Sequence, residues 1–235
     1  MKNKKENMKY YTYGLDMVFL NILSIVLFVG VWVMVMFITR NRSDFFSGDV
    51  GFLFIYMVLW LMLHEVIHGI GFGIFPQVKK SNICFGMALE KGVFYCMCKQ
   101  KISKRVILTS LMLPFTVIGV ITLIIGLYIN SYDLVMLSVL NIAGAVGDLV
   151  MTCYFLKVPN DVIYLDLDDC TSFTVLSNSN LDNISVKGIK LKESGIYDSS
   201  KMVSKDKRRL VISKTSYIVL GIIVILTLFM IFVRR

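Results

Sequence analysis

Polar surface is what this sequence has least of. Of its 235 residues, 56% are hydrophobic and only 17% charged, and the mean hydropathy is +0.71. A water-soluble domain of that composition could not clothe itself in polar groups. Prolines number three and histidines two, so imidazole chemistry has only two side chains to draw on. No internal repeat is evident, which counts against the inverted-repeat plan of many transporters. A disulfide framework is also missing. Cys84, Cys96 and Cys98 fall in one basic loop, Cys153 in an apolar run and Cys170 in a polar segment. The loop and the segment read as cytoplasmic, where thiols stay reduced. No small-x-small cleavage site follows the first apolar run, so that run is expected to be a retained span, not a secretory signal.

What the chain does have is long apolar blocks. About 20 residues at ~1.5 Å rise cross a ~30 Å hydrocarbon core, and five spans can be drawn, at residues 17–38, 50–75, 106–129, 134–156 and 216–233. The net charge of +9 would suit a nucleic-acid binder, but its distribution follows topology instead. Twenty-one Lys and Arg residues lie before the first span, between the second and third, and between the fourth and fifth; the opposite side has only Arg40, Arg42, Arg234 and Arg235. Positive-inside then places the amino terminus in the cytoplasm and the carboxyl terminus outside. The expected fold is an all-α polytopic membrane protein of five transmembrane helices, with a short cytoplasmic hairpin and a small cytoplasmic α/β or β segment. The hairpin is read at residues 82–89 and 93–98, apolar and aromatic runs around Glu90-Lys91-Gly92. Strand-like runs are read at 163–168 and 172–176.

Ionisable groups inside spans carry the most information, because burying one in hydrocarbon is costly. Four stand well inside: His64, Glu65, His68 and Asp148. His64-Glu65-Val66-Ile67-His68 puts two imidazoles on one helix face. Both can converge on one zinc ion, with Glu65 beside it as the catalytic base. A catalytic zinc site usually has three protein ligands, and Asp148 is the candidate third. His64–His68 and Asp148 each lie about 10–17 Å from the drawn cytoplasmic ends of their spans, at ~1.5 Å per residue. Asn141, Gly144, Ala145 and Asp148 make a small-residue stripe, and Gly69 and Gly73 a Gly-x-x-x-Gly, the pattern by which membrane helices approach closely. Asn141 is a candidate to orient a ligand or to bond another helix. Pro114 is expected to kink the third span.

These residues resemble a known family. His64-Glu65-Val66-Ile67-His68-Gly69 in a span, Leu113-Pro114-Phe115, Asn141 and Gly147-Asp148 look like the putative zincin peptidases of bacterial membranes, a family resembling the site-2 proteases. The likeness covers about residues 50–178. It implies zinc ligands at His64, His68 and Asp148 and a catalytic base at Glu65. Site-2 proteases place glycine after their aspartate, whereas Leu149 follows Asp148.

The domain plan expected is an amino-terminal tail, first helix and outer loop at 1–49, a zincin-like core at 50–178, a cytoplasmic tether at 179–215, and a fifth helix with external tail at 216–235. The expected activity is zinc-dependent hydrolysis of a peptide bond in or near a membrane-embedded protein or peptide. The expected setting is a bacterial cytoplasmic membrane, with the lipid bilayer as partner and no nucleic acid. Two rivals stay open: a membrane scaffold that holds metal without turnover, and an ion or proton transporter.

Overall fold

The computed structural model describes residues 8–41, 50–88, 93–166 and 172–197. The chain begins with strand β1 (Lys9–Leu15) and helix α1 (Met17–Thr39), followed by helix α2 (Val50–Gly73). A hairpin of β2 (Ile83–Ala88) and β3 (Val93–Cys98) leads through the short β4 (Ile102–Ser103) into α3 (Lys104–Pro114). Helix α3 runs through a π-helical stretch, Phe115–Ile121, into α4 (Thr122–Tyr128). Helices α5 (Tyr132–Gly144) and α6 (Val146–Lys157) follow, then strands β5 (Ile163–Asp166), β6 (Ser172–Ser177) and β7 (Ile189–Ile196).

Among the described residues, two helices are long and apolar enough to cross a membrane, Met17–Thr39 and the continuous Lys104–Tyr128. Helix α1 leaves Val18, Ile25, Val33 and Phe37 more than half exposed, a lipid-type surface on a helix of spanning length. Helices α5 and α6 together pass the same test but are bent by 47° at their junction. The break falls where Gly144 and Gly147 flank Ala145, and glycine weakens a helix by about 1 kcal/mol relative to alanine.

The strands form a five-stranded antiparallel sheet in the order β4-β5-β6-β1-β7, beside the two-stranded β2–β3 hairpin. The start of α1, the start of α3 and the end of α6 all join this sheet, so the described basic residues Lys9, Lys104, Arg105 and Lys157 lie at one end of the helices. Tyr11 and Tyr13 alternate inward from β1 and meet Phe173 of β6, Tyr164 of β5 and Tyr154 and Phe155 of α6 in one buried cluster. Ring centroids are 4.8 Å apart for Tyr13 and Tyr154 and 5.8 Å for Phe155 and Phe173, aromatic contact distances. Asp16 caps α1 through the Phe19 amide and pairs with Lys190 of β7 at 2.7 Å. Its own amide donates to the carbonyl of Gly188, whose φ of 92° favours glycine.

The expected all-α five-span fold is therefore corrected to a mixed fold in which helices meet an antiparallel sheet. The hairpin forms at the expected place, and the runs at 163–168 and 172–176 contain β5 and β6. What the all-α reading lacks is β1 and β7, at residues 9–15 and 189–196, which a charged tail and a polar tether were expected to occupy. Both are strands because they pair with each other and, through β1, with β6 across at least 158 positions of sequence, a stabilisation that local pattern does not display. The fourth drawn span is the broken α5–α6 pair. The fifth, at 216–233, lies outside the described residues.

Strand β1 is central, with Thr12 opposite Thr174 on one side and Glu193 on the other. A proline there removes a ladder donor. Thr12→Pro is expected to destabilise the protein by about 1–3 kcal/mol and Thr12→Val to leave it near wild type, as read by thermal unfolding in detergent.

Candidate metal centre

Three helices supply the ionisable and amide side chains of the site. Helix α2 carries His64, Glu65 and His68, α5 carries Asn141, and α6 carries Asp148 in its first turn. The bend before α6 turns that first turn towards α2. His64 and His68 are buried, at 8% and 7% exposed. His64 Nε2 lies 3.1 Å from Asp148 Oδ2 and 3.1 Å from His68 Nε2, and His68 Nε2 lies 3.4 Å from the same Asp148 oxygen. A carboxylate oxygen of Glu65 stands within 4.8 Å of a nitrogen on each ring. Asp148 is thus in hydrogen-bond range of both rings, while Glu65 stands to one side.

The opposite ring nitrogens decide which atoms carry protons. His68 Nδ1 is 2.8 Å from the Ser110 carbonyl, an acceptor without a proton, so Nδ1–H donates to it. His64 Nδ1 is 2.9 Å from Asn141 Oδ1. The amide orientation follows from its other end, where Asn141 Nδ2 donates to the Pro114 carbonyl at 3.4 Å. His64 Nδ1–H therefore also donates. In neutral rings both Nε2 atoms then keep their lone pairs, and these point at each other and at a carboxylate oxygen. A proton can bridge two of these atoms at once. A cation serves all three.

The triangle also has the right size. Tetrahedral angles with ~2.0–2.1 Å bonds separate zinc ligands by about 3.3–3.4 Å, against 3.1, 3.1 and 3.4 Å here. Two imidazoles and one carboxylate with an open fourth side form a donor set suited to zinc. The comparison with protein families points the same way. Residues 55–163 match the family model described as "Putative zincin peptidase". That description denotes a metallopeptidase, and the matched segment holds His64, Glu65, His68, Asn141 and Asp148. No curated protein and no solved structure matches the chain.

The matched segment opens onto a cavity of about 440 Å³, lined by His64, Glu65, His68 and Asp148 and by Tyr95 and Cys96 of β3. The Cys96 amide faces the Glu65 carboxylate. Burial, with the Glu65 and Asp166 carboxylates nearby, pushes the Cys96 thiol far above its ordinary range and keeps it protonated. Among the described residues, the metal-sized cluster of His, Cys, Asp and Glu side chains includes none of Cys84, Cys96 and Cys98.

Ser110 is the residue that sequence reading misses. It is fully buried on α3; its carbonyl accepts from His68 and its Oγ donates back to the His68 carbonyl at 2.9 Å. A lone serine in an apolar helix carries no local sign of that role. The close approach also comes from a different glycine than expected. A Cβ on Gly71 would sit 2.7 Å from the Ser110 Cα, whereas at Gly69 it would meet the Phe85 ring of the hairpin and at Gly73 nothing nearer than 3.8 Å. Gly144 of the small-residue stripe has nothing within 4 Å. The stripe marks the helix break, and Gly71 seats α2 on α3.

Gly71→Val is accordingly expected to force α2 and α3 apart and lose about 1–3 kcal/mol by overpacking. Gly73→Ala is expected to unfold within a degree or two of wild type, and thermal scans of the two variants side by side separate the cases.

Proposed function

We propose that this chain is a membrane-embedded zinc peptidase that hydrolyses a peptide bond in or near a membrane-embedded substrate. The observation that carries the reading is the meeting of two imidazole nitrogens and a carboxylate oxygen within 3.4 Å of one another, beside a glutamate and an open cavity. His64, His68 and Asp148 hold the ion, and Asn141 and Ser110 hold the two imidazoles in the tautomer that presents Nε2. Zinc, when bound, supplies Lewis acidity that polarises a carbonyl and lowers the pKa of water from ~15.7 to about 7. Glu65 takes the proton of the attacking water and passes it to the leaving amine. The apolar wall of the cavity excludes bulk water, which strengthens each of these electrostatic contacts.

A helical substrate has its backbone groups satisfied internally and must unwind before a carbonyl is accessible. Among the described residues strand β3 pairs with β2 in a two-stranded sheet, and its residues line the cavity next to Glu65. An unwound segment can be held there as an added strand. By the positive-inside rule the described basic residues at the sheet end support a cytoplasmic position for it, and on that reading the cleft draws its water from the cytoplasmic side.

Metal analysis of the detergent-purified protein tests the site. Wild type is expected to carry one zinc, and His68→Ala and Asp148→Ala to lose most of it; equal zinc in all three would falsify the ligand set. Glu65→Gln is expected to keep its zinc and to lose a factor of about 10²–10⁴ in cleavage rate. A wild type that holds zinc and cleaves no better than Glu65→Gln would instead be a scaffold. Replacing the hairpin by a short Gly-Ser linker, with zinc retained, is expected to abolish cleavage, and undiminished cleavage would reject strand capture.

A further inference from the structure

Both imidazole tautomers trace back to one residue that touches neither Nε2. In an α-helix each carbonyl receives the amide four residues later. For Ser110 that residue is Pro114, which has no N–H to give. The following amide does not replace it, because Phe115 N–H donates to the Met112 carbonyl. The Ser110 carbonyl thus lies inside α3, fully buried, with its helical donor missing. A buried carbonyl left unpaired is expensive. It finds its donor on the neighbouring helix, in His68 Nδ1–H at 2.8 Å, and Gly71 allows the two backbones close enough for that bond. The Pro114 carbonyl in turn accepts from Asn141 Nδ2, which turns Asn141 Oδ1 towards His64 Nδ1–H.

We propose that Pro114 is a positioning residue for the histidine pair: by withholding one amide it reserves the Ser110 carbonyl for His68, and by offering its own carbonyl it orients the acceptor for His64. The consequence for zinc affinity rests on the peptidase reading above. The tautomer assignment does not. Without Pro114 an amide at position 114 would compete with His68 Nδ1–H for the Ser110 carbonyl and weaken the bond that keeps the His68 proton on Nδ1.

Two histidines in the whole chain make the experiment direct. Metal-free protein labelled with ¹⁵N-histidine shows four ring nitrogens by NMR, and in wild type both rings are expected as the Nδ1–H tautomer. Pro114→Ala restores an amide at position 114 and suits a helix better than proline, so the variant is expected to fold. His68 should then populate the Nε2–H tautomer, and zinc affinity, measured by chelator competition, should fall about tenfold or more. Leu113→Ala, which trims the adjacent side chain and adds no amide, should keep the wild-type ring signals. Wild-type His68 signals in Pro114→Ala would overturn the proposal, as would the same shift in Leu113→Ala. A wild type without zinc affinity would defeat the peptidase reading and leave the tautomer comparison standing.

Discussion

Three hydrogen-bond acceptors pressed together inside an apolar layer are the constraint around which this structure is arranged. With both rings neutral and both Nδ1 atoms donating, His64 Nε2, His68 Nε2 and Asp148 Oδ2 have no proton to share among them. Such a group is repulsive unless a positive charge occupies its centre. Everything nearby holds it in place: α2 carries both histidines, the α5–α6 break brings Asp148 across, and Ser110 and Asn141 anchor the far side of each ring. Supporting partners of this kind orient metal-binding histidines generally and raise their basicity.

The sheet has a mechanical part in this arrangement. Strand β1 precedes α1 and β4 precedes α3, while β5 follows α6, so three helix ends are tied to one hydrogen-bonded platform. The aromatic cluster of Tyr11, Tyr13, Tyr154, Phe155 and Phe173 glues that platform to α6, a few turns from Asp148. A second apolar cluster around Val35, Val135 and Val139 holds α1 against α5. Asp148 is therefore placed from both sides, by the sheet beyond the end of α6 and by α5 beyond its start. The cavity between sheet and helices is the space this arrangement leaves open beside Glu65.

Much of the site is legible in the chain because ionisable residues in an apolar run are self-announcing. His64, Glu65, His68 and Asp148 stand out for want of any other reason to be there, and the depths of the two drawn spans already put them at one level. The hairpin was readable too, since two aromatic, apolar runs flank a Gly-bearing turn. Other features were not. The run Lys9–Leu15 sits between a charged tail and a long apolar helix, and its partners lie at least 158 residues away. Glycines were readable as small but not as to their neighbours: Gly71 matters for its approach to Ser110, Gly69 for a phenylalanine of the hairpin.

By itself the sequence determined the chemistry available to this protein. It sets two imidazoles one helical turn apart, a carboxylate in another apolar run, and a proline that deprives one carbonyl of its helical donor, all consequences of residue type and covalent spacing. Only the tertiary structure decided what those groups do to one another. Which glycine brings α2 onto α3, which backbone oxygen receives the His68 proton, and where the helix breaks to present Asp148 depend on packing between segments distant in the chain. Local sequence holds no term for those contacts, because their free energy appears only when both partners are buried together.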